Sequence, residues 1–242
     1  MTSSGITDLG KNRPLPVPTS PQLKILYQDA HLIAVHKRAG QLVHPSDTPQ
    51  AQDIITMKVL RDQIGQEVEV VHRLDCPTCG VLLFGLQKKA AKILRRSFEE
   101  RRVKKAYLAA VHGTPTLATW IDRTPLRKGP DQALKSASTH FTVLSSHPDI
   151  PELTLLEAHP HTGRFHQIRR HLSEAGHPII GDFRYAGKER SLEIGLRLNS
   201  GTRMHLQAWK LEFPHPISEV PLTLTSPPEN IFQPFLQNVN LC

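Results

Sequence analysis

Short runs of apolar residues, many of them β-branched, recur along the chain between stretches rich in turn-forming residues. The clearest runs are 32–35, 68–71, 81–86 and 153–158. Apolar runs of four to eight residues with turn signals on both sides are typical of buried β-strands. The pattern therefore predicts that the core of the protein is built around a sheet.

Helical periodicity occurs in fewer places. Within residues 88–101, Ala91, Leu94 and Phe98 lie three and four positions apart among charged residues, which predicts an amphipathic helix lying on the sheet. The sequence has no internal repeat of the solenoid type. These features together predict an α+β fold, with a mixed, mainly antiparallel sheet and a few flanking helices.

A second helix is predicted where Phe165, Ile168 and Leu172 repeat the same spacing. Gly176 follows this segment. Because glycine adopts the left-handed backbone conformation without steric cost, Gly176 can end this helix.

The two ends of the chain differ from its middle. Residues 1–22 contain four prolines and few large apolar residues, so we expect a flexible tail that cannot bury enough surface to order itself. Residues 23–228 are expected to form one domain that carries the chemistry, followed by a short C-terminal extension at 229–242. A chain of 242 residues, 38% of them hydrophobic, is long enough for a single domain with a substantial core.

The excess of positive charge indicates what kind of molecule the protein binds. The chain has 30 lysines and arginines against 22 acidic residues, a formal net charge of +8, which favours a polyanionic partner. No stretch is long and apolar enough to cross a bilayer, and the first residues lack the pattern of a signal peptide. Three cysteines are too few for a disulfide framework and fit a reduced compartment. We therefore expect a cytoplasmic protein.

Cys76 and Cys79 have the C-x-x-C spacing of redox pairs and of half zinc sites. A zinc site would need two further ligands, and there is no second C-x-x-C, although fourteen histidines keep this alternative open. A thioredoxin-like site places the motif at the start of a helix, whereas residues 81–86 have a β-type pattern. Metal and redox chemistry are therefore minor alternatives, and we expect a protein that uses no metal and no cofactor.

The most informative run begins His72-Arg73-Leu74-Asp75 and continues through Thr78-Cys79-Gly80 into an apolar strand. By itself, an Arg-x-Asp is usually a solvated turn. Before and after this run, the chain contains these segments in order: 25–29, 32–37, Gly40, 42–44, Lys105-Ala106-Tyr107, Thr162-Gly163-Arg164-Phe165-His166-Gln167-Ile168-Arg169-Arg170-His171-Leu172, 176–182 and Met204-His205-Leu206. In order and spacing, these segments resemble the pseudouridine synthases of the RluA type over residues 23–228. Cys79 departs from the serine that is usual in that turn.

The resemblance implies that the protein converts a uridine in RNA to pseudouridine and that Asp75 is the catalytic carboxylate. A carboxylate in a site that excludes water needs a nearby cation to stay ionised, and the resemblance gives this role to Arg169. Without the resemblance, Arg169 would be interpreted as a solvated helix residue. The sequence leaves open whether Asp75 attacks the base, attacks the sugar or removes a sugar proton.

The resemblance also places Tyr107 in the catalytic group and gives substrate-binding roles to Arg73 and Leu206. A stacked uridine must be flipped out before it can react, at a cost of about a few kcal/mol. Arg73 would fill the gap left by the base, Tyr107 would stack on the uracil, and Leu206 would form a wall of the pocket. On pattern alone, Tyr107 would be a half-buried strand residue and Leu206 part of the core.

The implied partner is RNA, bound by a monomer. Residues 27–29, 59–66 and 85–86 resemble family members that modify uridine 65 of tRNA, whereas members that act on ribosomal RNA share the catalytic motifs and are an alternative. A non-catalytic, basic RNA-binding protein is a third hypothesis. The densest positive stretch comprises Lys88, Lys89, Lys92, Arg95, Arg96, Arg101, Arg102, Lys104 and Lys105. These side chains could follow the RNA backbone or simply be solvated.

Overall fold

The structure is a computed structural model that describes residues 22–45, 50, 53–237 and 239–241, so nearly all of the predicted tail at 1–22 lies outside the described residues. The strands are β1 (Lys24–Gln28), β2 (Leu32–Lys37), β3 (Glu69–Val70), β4 (Cys79–Gly85), β5 (Lys104–His112), β6 (Thr119–Asp122), β7 (Thr139–Ser146), β8 (Leu153–Pro160), β9 (Leu206–Pro214) and β10 (Pro221–Thr225). The helices are α1 (Thr56–Ile64), α2 (Lys88–Glu99), α3 (Gln167–Glu174) and α4 (Lys188–Arg197), followed by a 3₁₀-helix at Asn230–Phe235.

All ten strands belong to one sheet. Eight strands lie in the order β1-β2-β4-β9-β5-β8-β7-β6, while β3 pairs with β4 and β10 pairs with β9. The β4–β9 pair is parallel and the other pairs are antiparallel. The predicted α+β fold with a mixed, mainly antiparallel sheet is confirmed. The four apolar runs fall in or around β2, β3, β4 and β8.

The helices cover the sheet with their apolar sides. Ala91 and Leu94 of α2 are fully buried in a cluster with residues of β2 and β4. Ile168 and Leu172 of α3 are buried against β7 and β8, in a cluster that includes Phe141 and Leu156. No helix within the described ranges is long and apolar enough to span a membrane.

The ends of α3 test the second helix prediction. Gly176 ends α3 as predicted: its φ is +85°, and the amide of His177 donates to the carbonyl of Leu172 at 2.8 Å. The predicted helical position of Phe165 is wrong, because Phe165 precedes α3 and is 38% exposed. His166 has a φ of +52°, and this left-handed residue redirects the chain just before the helix begins.

Strands β1, β2 and β4 form one side of the sheet, and β9, β5, β8, β7 and β6 form the other. The two sides are joined where β4 pairs with β9. Their pairing joins Cys79 to Gln207 and Gly80 to Ala208. Gly80 has a φ of +112°, and a Cβ atom at this position would lie 2.0 Å from the carbonyl oxygen of Ala208. Glycine is therefore required for β4 to approach β9. Since β4 directly follows the turn that carries Asp75, this contact fixes where the turn leaves the sheet.

The first part of the predicted C-terminal extension, 229–242, packs onto the core. Phe232 and Phe235 of the 3₁₀-helix are buried in a cluster that includes Trp209 of β9. The side chain of Gln207 donates to the carbonyls that precede this segment, at 3.1 Å and 2.9 Å, and accepts from the amide of Glu229 at 2.9 Å. The segment is therefore tied to the strand that pairs with β4.

We expect Gly80→Ala to lower the free energy of unfolding by at least about 3 kcal/mol, because the added methyl group meets the backbone of β9 and the backbone conformation is strained. Gly129→Ala is a matched control, since a Cβ at Gly129 has nothing within 4 Å, and it should change stability by less than about 0.5 kcal/mol. Urea unfolding of the three proteins measures the difference. Equal stability of the two variants would contradict the close approach.

Candidate active site

Asp75 lies in the turn between β3 and β4, and its carboxylate is partly exposed to solvent. The side chain of Asp75 is 30% exposed, so it is open to a ligand. Lys37 of β2 is fully buried, and its ammonium group donates to the carbonyl of Cys76 at 3.0 Å and to the carbonyls of Arg38 and Gln41 at 2.9 Å and 2.7 Å. Burial lowers the pKa of Lys37 to about 8. Lys37, to which the sequence analysis gave no role, thus ties the Asp75 turn to the loop after β2.

Arg169 of α3 contacts Asp75 although the two residues lie 94 positions apart in the chain. Its Nη1 atom lies 3.0 Å from Asp75 Oδ2. The other side of the guanidinium binds Asp182 through two hydrogen bonds, Nε to Oδ2 at 2.7 Å and Nη2 to Oδ1 at 2.9 Å. A two-bond arginine–carboxylate pair fixes the plane of the guanidinium. Asp182 therefore orients Arg169 so that Nη1 faces Asp75.

Asp182 is 1% exposed and has a position set by the backbone around it. The preceding residue, Gly181, has a φ of +75°, and a Cβ there would lie 2.0 Å from the carbonyl oxygen of Arg203. Asp182 lies in a segment that matches the family, but no role was predicted for it. A signal was present, because an acidic residue directly after the apolar pair Ile179–Ile180 and a glycine is expected to be buried, and a buried carboxylate needs a cation.

His166 and Tyr185 form one side of the site. His166 Nε2 lies 3.7 Å from Asp75 Oδ2, and its Nδ1 is hydrogen-bonded to the hydroxyl of Tyr185 at 3.0 Å. The guanidinium carbon of Arg169 lies 5.1 Å from the centre of the Tyr185 ring. Burial lowers the pKa of His166 to about 4, so this imidazole is neutral near pH 7. The cation beside Asp75 is therefore Arg169.

Tyr107 and Leu206 lie on β5 and β9, the strands next to the Asp75 turn. Tyr107 is half-buried and pairs with Ala208 of β9. Burial raises the pKa of Tyr107, and the nearby charge of Asp75 raises it further, so its hydroxyl stays protonated. Leu206 is 3% exposed and belongs to a cluster that includes Ile179. The structure thus brings Asp75, Arg169 and Tyr107 together, with Leu206 in the adjoining core.

Arg73 lies two residues before Asp75 and is exposed. Its Nη1 is 3.2 Å from Nε2 of His44, and it forms no salt bridge within the described ranges. The neighbouring His72 points into the core, where its ring stacks on Phe98 at 4.6 Å between centroids and its Nε2 accepts the amide hydrogen of Leu83 at 3.1 Å. The turn is thus anchored by His72, while Arg73 is available to a ligand.

The C-x-x-C pair has the properties of neutral thiols. Both cysteines are free, and Cys79 is fully buried with its thiol donating to the carbonyl of Leu206 at 3.7 Å. Burial raises the pKa of Cys79 to about 12 and also raises that of Cys76. Metal ligation and thiol exchange use the thiolate, which these environments disfavour. In the part of the chain that the structure describes, no group of three or more histidine, cysteine or acidic residues could hold a metal ion.

We expect Asp182→Asn to lower the free energy of unfolding by about 3 kcal/mol, because it leaves the Arg169 guanidinium buried without its two-bond partner. Glu174→Gln is the matched control, since Glu174 is the exposed partner of Arg170 on the same helix, at 3.3 Å, and should cost less than about 1 kcal/mol. Chemical denaturation at constant salt gives both values. If the Asp182 variant were as stable as the control, Asp182 would not hold Arg169 in place.

Comparisons with known proteins all match RNA pseudouridine synthases. A family model described as RNA pseudouridylate synthase matches residues 31–174. A tRNA pseudouridine synthase C of Pasteurella multocida is 38% identical over 238 residues, covering 90% of this chain and 96% of the relative. The protein of the same name from Pectobacterium carotovorum is 38% identical over 220 residues, which are 84% of this chain and 58% of the relative, so the chain spans little more than half of that protein.

Solved structures give the same result. Human RNA Pseudouridylate Synthase Domain Containing 4 has a TM-score of 0.69 and 26% identity, over 88% of this chain and 91% of that one. Human RNA Pseudouridylate Synthase Domain Containing 1 has a TM-score of 0.70 and 27% identity, over 88% and 86%. As its resemblance to the RluA-type enzymes predicts, the chain belongs to the RNA pseudouridylate synthase family.

Proposed function

We propose that this protein is a monomeric, cytoplasmic enzyme that isomerises one uridine of tRNA to pseudouridine, with Asp75 as the catalytic carboxylate. The observation that carries the proposal is the pair of Asp75 with the buried Arg169, 3.0 Å apart, in an accessible turn. The guanidinium is itself fixed by Asp182. An ionised carboxylate at the mouth of a site is the group that this reaction requires.

The reaction breaks the bond between ribose C1′ and N1 of uracil and forms a bond between C1′ and C5. A proton leaves C5 and a proton is gained at N1, so that no atom is lost and no electron is supplied. One positioned carboxylate can begin the exchange, either by attacking the base or the sugar or by removing a sugar proton. Asp75 is the partly exposed carboxylate of the Asp75–Arg169–Asp182 group, and it is therefore assigned this step.

Arg169 places a positive charge beside Asp75 that balances the negative charge of the carboxylate when RNA covers the site. Bound RNA displaces water and brings phosphate groups nearby, and both changes favour protonation of a carboxylate. Because two hydrogen bonds to the buried Asp182 hold the guanidinium in place, little reorganisation is needed when the substrate arrives. The positive charge is thus in position before the reaction starts.

The remaining site residues address base flipping. Extruding a stacked uridine costs about a few kcal/mol, and contacts with the protein must supply that energy. Arg73, exposed beside Asp75, fills the space that the base leaves in the RNA. Tyr107 stacks on the flipped uracil, a contact worth about 1–3 kcal/mol, and Leu206 supports the wall behind it.

The choice of tRNA is supported by the relatives named tRNA pseudouridine synthase C. Relatives of that name from Pasteurella multocida, Yersinia pestis and Vibrio cholerae are 35–38% identical over 84–90% of this chain. Position 65 as the target rests on the likeness of residues 27–29, 59–66 and 85–86 to members that modify that uridine. Ribosomal RNA is the alternative substrate.

Base-resolved pseudouridine mapping of unmodified tRNA and ribosomal RNA transcripts tests the proposal. The parent protein should produce one new pseudouridine in tRNA, and Asp75→Asn should produce none while binding the same tRNA within about threefold, since the substitution keeps the shape of the side chain. If only ribosomal RNA were modified, the substrate would be ribosomal RNA instead of tRNA. Tight RNA binding without any base change by the parent would favour a non-catalytic RNA-binding protein.

Two substitutions distinguish the contribution of the Tyr107 ring from that of its hydroxyl group. Tyr107→Phe keeps the stacking surface, so its single-turnover rate should stay within about threefold of the parent. Tyr107→Ala removes the ring and should lower kcat/KM by about 5- to 150-fold, the equivalent of 1–3 kcal/mol of stacking. Equal losses in the two variants would assign the function of Tyr107 to its hydroxyl instead of its ring.

A further inference from the structure

An open cleft with a volume of about 440 Å³ lies beside the start of β5 and is lined mainly by basic side chains. Its charged and imidazole-bearing residues are Arg101, Lys104, Lys105, His140, His159 and His161. No carboxylate is among the lining residues. Its volume is far more than one phosphate group needs, so a segment of nucleic-acid backbone can enter it.

Two cations, Arg101 and Lys105, line this cleft together. Lys105 is half-buried, and both burial and the charge of Arg101 lower the pKa of Lys105 to about 8. Neither residue forms a salt bridge within the described ranges. By contrast, Lys104 lies 3.7 Å from Glu212. Repulsion between Arg101 and Lys105 raises the free energy of the empty cleft, and an anion that bound between them would remove this cost.

Two histidines that line the cleft, His140 and His159, lie next to each other on neighbouring strands. His140 of β7 and His159 of β8 are paired in register, with their ring centres 6.2 Å apart. His140 Nε2 is 2.7 Å from the hydroxyl of Thr119, and His159 Nε2 is 3.0 Å from Glu157. Within the described residues, these contacts use one nitrogen of each ring and leave the Nδ1 atoms for a ligand.

Arg101 occupies a backbone position that normally favours glycine. At the end of α2, the amide of Arg102 donates to the carbonyl of Ser97 at 2.8 Å and that of Arg101 donates to Phe98 at 3.2 Å, with a φ of +60° at Arg101. The end of α3 has the same hydrogen-bond pattern, and there the left-handed residue is Gly176. The helix at the cleft thus carries an arginine at a conformational cost that the other helix avoids.

The cleft adjoins the proposed active site. Lys105 donates to the carbonyl of Thr162 at 3.1 Å, at the start of the segment that leads to Arg169. The charge of Lys105 also helps burial to lower the pKa of His72 to about 3, in the turn that carries Asp75. A strand of RNA that places its uridine at Asp75 therefore passes near the cleft.

We infer that this cleft binds a phosphodiester group of the substrate RNA outside the flipped nucleotide, through Arg101 and Lys105 together with the imidazoles of His140 and His159, which line the same cleft. The inference rests on the proposed function for the identity of the polyanion. The phosphate neutralises the pair of cations, and the cleft thereby fixes the path of the RNA backbone as it leaves the active site.

Filter binding of unmodified tRNA between 50 and 300 mM KCl tests the inference with three variants. Arg101→Gln should weaken binding about five- to eightfold at 0.1 M salt and lower the slope of log K against log salt by about 0.7–0.9, the value for one lost phosphate contact. Lys24→Gln removes one charge from the exposed strand β1, four places from β5 in the sheet, and should leave both values close to the parent.

Arg101→Gly separates binding from folding. Glycine relieves the left-handed strain, so the variant should have a Tm at or above that of the parent and still lose the same RNA affinity. If both Arg101 variants kept the parent slope and affinity, the inference would be wrong, even when the parent forms pseudouridine. If the Arg101 variants lost affinity while the parent formed no pseudouridine on any RNA, the proposed function would fail and the phosphate site would remain.

Discussion

The arrangement of the site depends on one guanidinium shared by two carboxylates. Arg169 is buried, and a buried charge is stable only when its hydrogen bonds are made. Asp182, equally buried, supplies two of these bonds, while the third goes to the accessible Asp75. The inner carboxylate thus neutralises and orients the arginine, and the outer carboxylate remains accessible to a ligand. The division of roles follows from the difference in their burial.

Close approaches between backbone segments hold this group in position. Gly80 lets β4 lie against β9, and Gly181 lets the segment that carries Asp182 lie against Arg203. In both cases, any side chain would collide with a carbonyl oxygen. Gly181 directly precedes Asp182, and Gly80 lies five residues after Asp75. The accuracy of the site is therefore set by main-chain contacts, which are less adaptable than side-chain packing.

The sequence predicted the parts of this molecule that depend on local pattern. Apolar runs located β2, β3, β4 and β8, and a 3.6-residue period located α2, because the burial of a strand or of one helix face is visible in the order of residues. The β4–β9 pair was beyond this reasoning, since its partners lie 128 positions apart, as Cys79 and Gln207 show. Phe165 was misplaced because the left-handed conformation of His166, which only the folded environment selects, interrupts the helical period. The contact between Asp75 and Arg169 was expected from a family resemblance alone, and the role of Asp182 was missed.

The parallel β4–β9 pair also determines when the Asp75 turn can reach its final position during synthesis of the chain. Strand β4 and the Asp75 turn are complete once residue 85 has been added, whereas β9 follows only after Arg203. Until β9 has left the ribosome, β4 lacks its inner neighbour and Gly80 has nothing to pack against. Contacts of such long sequence separation form late in folding. A growing chain therefore contains Asp75 well before Gly80 has its partner strand, and the Asp75 turn can take its final position only after β9 has been made.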